Sequence, residues 1–142
     1  MMVTALTDGD RQVYARIADA LIPSALGMPS ASEAGVPSVY VDQALTARPD
    51  LSVPLQAAIA FVKELPSDAD LLIELDHVSA DVVGGVGTLT AGAYFLSPQI
   101  RERIGYPGQE ARSMNHGAEL PYIGMLERLI DSGFTYIPTP AT

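Results

Sequence analysis

No cysteine occurs in the chain, and no tryptophan. The first absence removes disulfides, thiolate metal centres, cysteine-ligated iron–sulfur clusters and c-type haem attachment together. It leaves the redox compartment open. Histidine is nearly absent too: His77 and His116 are the two, a thin inventory for catalysis or metal binding. Basic residues number eight against seventeen acidic ones, for a formal charge of −9. Between Glu64 and Arg101 there is no basic residue, while Asp68, Asp70, Glu74, Asp76 and Asp81 fall in that gap. A phosphate backbone calls for clustered Lys and Arg, so nucleic acid is excluded as a partner.

Charge of either sign is missing from residues 82–100. That run contains Gly84, Gly85, Gly87, Thr88, Thr90, Gly92, Ser97 and Pro98, too polar and too broken for a spanning helix. A buried helix with its entry loop is expected there, with no direct membrane insertion. The opening MMVTALTDGDRQ lacks the basic and apolar regions of a signal peptide. A cytoplasmic protein is the expectation, or a periplasmic one if an export leader belongs to it. Mean hydropathy is nevertheless +0.21. In a chain of one-domain size, able to bury roughly two thirds of its unfolded surface, such an apolar surplus points to surface that a partner covers.

What is present is helical periodicity. Thr7-Asp8-Gly9-Asp10 reads as an N-cap with acids in the first turn, followed by the stripe Val13, Ile17 and Leu21, ended by Pro23. Residues 23–36 read as an irregular loop. Pro37 suits the first turn of a second helix with Val39, Tyr40, Ala44 and Leu45 inward. Ser52 caps a third, with Leu55, Ile59 and Val62 on one face. Ser67 and Asp70 suggest a capping box for a fourth, with Leu71, Leu72, Leu75, Val78 and Val82 inward. Gly84-Gly85-Val86-Gly87 reads as a break, followed by a small-residue helix through Phe95. Ser97-Pro98 starts a short piece that stops at Gly105. A loop from Tyr106 to Leu120 leads to a last helix over 121–132, carrying Ile123, Leu126, Leu129 and Ile130. The tail, with two prolines, is extended. The fold class is therefore all-α: a single domain over residues 1–142, a compact irregular bundle of about five to seven helices with long loops and an extended C-terminal tail.

Catalytic constellations are not found. Gly85-Val86-Gly87-Thr88 lacks the preceding strand and third glycine of a dinucleotide fingerprint, and no lysine follows for a phosphate loop. His116 and Glu119 share a spacing that suits one metal only if helical, and two ligands do not make a site. Asp70, Glu74 and Asp81 share a helix face, which is ordinary for a solvated surface. No serine sits in a Gly-x-Ser-x-Gly elbow. One stretch stands apart. Three of the eight basic residues, Arg101, Arg103 and Arg112, flank the turn Tyr106-Pro107-Gly108. Tyrosine and arginine are enriched at interface hot spots, so this turn reads as a docking surface. The alternative is that Tyr106 packs on its own core while the arginines pair with the chain's own acids.

The opening LTDGDRQVYARIADALIPS, the segment GMPSASEAGV with the following VYVDQALTARPDL, and above all AGAYFLSPQIRERIGYPGQ carry a resemblance over about residues 5–137. The chain resembles the gluconate 2-dehydrogenase subunit 3 family, the small subunits of FAD-dependent sugar and alcohol dehydrogenases. The resemblance implies a non-catalytic subunit that binds and stabilises a large flavoprotein of the glucose–methanol–choline oxidoreductase type. FAD and the oxidation of a sugar or alcohol hydroxyl would belong to that partner, with no cofactor, metal or catalytic residue in this chain. The implied interface comprises Arg101, Arg103, Tyr106, Pro107, Gly108, Gln109, Arg112, Tyr122, Phe134 and Tyr136, within a heterodimer. Family members commonly carry a twin-arginine export signal, and none is present here.

Two rival readings are carried forward. One is a stand-alone helical enzyme or small-molecule binder with a pocket near residues 103–122, using Arg103, His116, Glu119 and Tyr122. The other is a helical adaptor for an unrelated partner.

Overall fold

Thr7 opens the first helix with both halves of a capping box. Its hydroxyl accepts from the Asp10 amide at 3.2 Å, and the Asp10 carboxylate accepts from the Thr7 amide at 3.0 Å, so two otherwise orphaned donors are satisfied. The computed structural model describes residues 5–111 and 123–133. The chain divides into two compact units, Met1–Gly108 and Gln109–Thr142. The first holds α1 (Asp8–Leu21), a π-helical turn (Val36–Tyr40), α2 (Val41–Ala47), a 3₁₀ turn (Pro49–Leu51), α3 (Ser52–Lys63), α4 (Leu71–Leu75), α5 (Ala80–Leu96) and α6 (Pro98–Arg103). The second holds α7 (Ile123–Asp131), whose Leu126, Leu129 and Ile130 are exposed. No strand is found among the described residues, and no helix there is long and apolar enough to cross a membrane. The all-α bundle is as the periodicity predicts.

The core of the first unit gathers on α5. Tyr14, Ile17, Val36, Val41, Leu55, Ile59, Val62, Leu89 and Ala93 are buried together. Inside this apolar mass the Tyr14 hydroxyl and Thr90 Oγ1 form a hydrogen bond of 3.1 Å, so neither buried polar atom is left alone. Arg11 ties α1 to its neighbours, donating to the Pro37 carbonyl (2.8 Å) and to the Asp42 carboxylate (2.8 Å).

Four local readings are corrected. The glycines at 84, 85 and 87 do not break a helix; they lie inside α5. At Gly85 the reason is space: a Cβ there would meet Pro54 Cγ at 2.6 Å and Cβ at 2.7 Å. Glycine at this point lets α3 and α5 approach closely, which outweighs its poor helix propensity. The fourth helix is only Leu71–Leu75, capped by Asp70, whose carboxylate accepts from the Leu72 amide at 3.1 Å. Ser79 then caps α5 separately. Leu72 consequently turns outward, and Asp81 does not share a face with Asp70 and Glu74. Val39, expected inside, is 51% exposed, while Val41 is fully buried. The π-helical turn adds a residue to the preceding turn and rotates the inward face. Ser52 does not cap α3 but lies within it, its hydroxyl donating to the Pro49 carbonyl at 2.7 Å.

The start of α1 also sets an acid dependence. Lys63 Nζ lies 2.7 Å from Asp10 Oδ1. This contact first, and the Thr7 hydroxyl and amide next, hold the Asp10 carboxyl at about 2 instead of 3.8. Because the folded value is depressed, the stabilisation is present above pH ~4 and disappears as pH falls towards ~2. Asp10→Asn should therefore be less stable than the parent protein above pH 4, with the difference shrinking as pH approaches 2. Denaturant titrations at a series of pH values check this, and a difference constant across that window refutes it.

Candidate partner interface

The segment 97–108 is built around a short helix with two defined ends. Ser97 is its buried N-cap residue and Pro98 fills the first position, where a missing N–H costs nothing. At the other end, the Tyr106 amide donates to the Arg101 carbonyl (2.8 Å) and the Gly105 amide to the Glu102 carbonyl (3.0 Å). Gly105 has φ 68°. This pair of bonds with a left-handed glycine is the Schellman arrangement. The Ile104-Gly105-Tyr106 part of the turn is thus accounted for by helix termination, which fixes where Tyr106 points.

It points outward. Tyr106 is 52% exposed and Ile104 49%, and Phe95 and Leu96 at the end of α5 are exposed as well. Pro107 is exposed and Gly108 half-buried, the latter with φ 93°. The two arginines behave differently. The Arg103 guanidinium donates to the Gly27 carbonyl, a backbone group of its own chain. Arg101 Nε is buried without a hydrogen-bond partner. Neither arginine pairs with an acid among the described residues, and Tyr106 is not packed into the core. Gln109 opens the second unit and is exposed. Arg112, Tyr122, Phe134 and Tyr136 lie outside the described residues, as do His116 and Glu119.

The other candidates fall largely outside the described residues. His77 is exposed beyond the end of α4. Among the described residues no group of three or more His, Asp or Glu side chains is placed to hold a metal ion. The pocket expected near 103–122 keeps one described polar member, Arg103, and that is engaged by Gly27.

Sequence reasoning passed over two features. One is a shallow groove of about 270 Å³ between α2 and α5, lined by Ala44, Ala47, Leu51, Leu89, Gly92 and Leu96, with Arg48 and Thr88 at its edge. Arg48 is held there by Asp50 at 2.7 Å. The small residues of α5 are its only sequence trace. The other is a tight turn at residues 25–28, which Arg103 joins to α6. Compared with family models, with curated proteins and with solved structures, the chain has no match. The resemblance described above therefore rests on its own motifs.

Proposed function

We propose that this protein is a non-catalytic subunit that docks onto, and stabilises, a larger FAD-dependent sugar or alcohol dehydrogenase chain. Docking uses the end of α5, α6 and its terminal turn. The observation that carries the reading is the exposure of four large apolar side chains, Phe95 and Leu96 at the end of α5 and Ile104 and Tyr106 after α6. Large apolar side chains in water raise the free energy of the isolated chain. A partner that covers those apolar side chains lowers it again. Tyrosine and arginine on a fixed turn suit such a contact, since little conformational freedom is lost on binding. The flavin, the substrate and the hydride transfer belong to the partner chain.

The test is purification from the native source under gentle conditions, reading native mass and visible absorption on one peak. Co-elution with a much larger polypeptide and a flavin band is the expected result. A colourless, folded, cooperatively melting chain that elutes alone rejects the proposal. Given the complex, Tyr106→Ala should weaken it by about 2 kcal/mol, roughly 30-fold in Kd, without lowering the melting temperature of the free chain. Titration of the flavin-bearing chain with each form measures this.

A further inference from the structure

Leu26 combines two unfavourable properties at one position. It is 104% exposed, the most exposed large apolar side chain among the described residues. It is also the one non-glycine residue among them with positive φ, at 51°. Ala25 and Met28 exchange both backbone hydrogen bonds, 3.1 and 2.8 Å, around Leu26 and Gly27 (φ 80°). A two-residue turn of this hand favours Asn or Gly at its first central position. Leucine there is sterically strained and gains no burial within the fold. Nothing in the isolated chain rewards it.

The turn is nevertheless held firmly. Met28 packs against the core. The Ser24 hydroxyl donates to the Met28 carbonyl at 3.3 Å and the Tyr94 hydroxyl to the Pro29 carbonyl at 2.7 Å. Ser30 and Glu33 exchange reciprocal bonds of 2.7 and 3.3 Å just beyond. Arg103, the last residue of α6, donates to the Gly27 carbonyl. The turn and α6 are therefore joined at this point, on the side of the chain where α6 ends.

We infer that Leu26 is an anchor, a pre-set apolar knob that inserts into an apolar pocket of the larger flavin-bearing chain. The inference rests on the docking reading given above and adds to it a second contact element and a pocket on the partner. Strain held in a surface turn by surrounding bonds marks a position kept for something outside the fold. A finger already fixed in its bound shape binds with little ordering.

The test is titration of the flavin-bearing large chain, recovered on the parent protein and quantified by its flavin, with Leu26→Asn and Leu26→Met. Asparagine tolerates the left-handed conformation, so Leu26→Asn should melt at the same temperature as the parent or higher. Its affinity should fall at least about 10-fold, the low end of what burying one leucine supplies. Leu26→Met keeps the apolar knob and should bind within about 3-fold of the parent. Unchanged binding by Leu26→Asn, while Tyr106→Ala still weakens it, overturns the anchor and leaves the docking reading standing. A lowered melting temperature shows that the leucine serves the fold, and also overturns the anchor. If sedimentation shows a parent homodimer that Leu26→Asn abolishes, the pocket is on a second copy and the inference is wrong. If no flavin-bearing chain is recovered, both readings fall together.

Discussion

Tyr14→Ala should destabilise the first unit by about 3–5 kcal/mol, the range for removing a buried aromatic ring. Tyr14 is fully buried within the core cluster, where α1 meets α5. The hydroxyl contributes separately. Tyr14→Phe keeps the ring but takes the tyrosine partner from Thr90, at about 1–3 kcal/mol for an unpaired buried hydroxyl. Tyr14→Phe combined with Thr90→Val removes both polar groups and should cost less than the sum of the two single changes. Equilibrium denaturation of the four variants measures the coupling, and strict additivity would mean that the two hydroxyls do not interact. Burial also pushes the Tyr14 phenol up to about 12 from 10.0. With the folded value raised, this contribution is intact below pH ~10 and is lost as pH rises towards ~12, because only the unfolded chain ionises freely.

Gly85→Ala should destabilise the same unit by about 1–3 kcal/mol, whereas Gly84→Ala and Gly87→Ala should each stabilise it by up to about 1 kcal/mol. All three glycines lie in α5, and each gains helix propensity on acquiring a methyl group. Only at Gly85 does that methyl collide with something that cannot yield. Pro54 has a closed ring fixed in the first turn of α3, and its atoms would lie 2.6 and 2.7 Å away. A Cβ added at Gly84 or Gly87 would meet nothing within 4 Å beyond the helix's own backbone. The contrast is internal to one helix, so it is insensitive to how the unfolded state is treated. Equal effects at all three positions would show that α3 and α5 do not approach as described.

These two sites also show what the sequence reveals and what it hides. The α1 cap and stripe were legible because Thr7, Asp10, Val13, Ile17 and Leu21 carry their message locally. So were the end of α6 at Gly105 and the burial of Leu55, Ile59 and Val62. The glycine run in α5 was misread because a glycine that ends a helix and one that admits a neighbour look alike until the neighbour is known. Val39 was placed inside because periodicity assumes a regular helix, and the π-helical turn at Val36–Tyr40 shifts the register unannounced. For the interface, the turn at Tyr106 stood out by composition, and the structure leaves its aromatic ring exposed. Leu26 was invisible, since its turn is held by bonds from Tyr94 and Arg103, far along the chain, which leave no mark on the side chain itself.

The central place of α5 has a consequence in time. Its Thr90 meets Tyr14 across a separation of 76 residues, and α2 and α3 complete their packing against it too. At a synthesis rate of about 5–20 residues per second, a nascent chain waits roughly 4–15 s between making Tyr14 and making its partner. Through that interval the apolar sides of α1, α2 and α3 have each other but not the helix that closes them in. The domain is completed late and nearly all at once, when residues 80–96 emerge. Slowing translation just after that stretch should favour correct folding, and slowing it just before should favour aggregation.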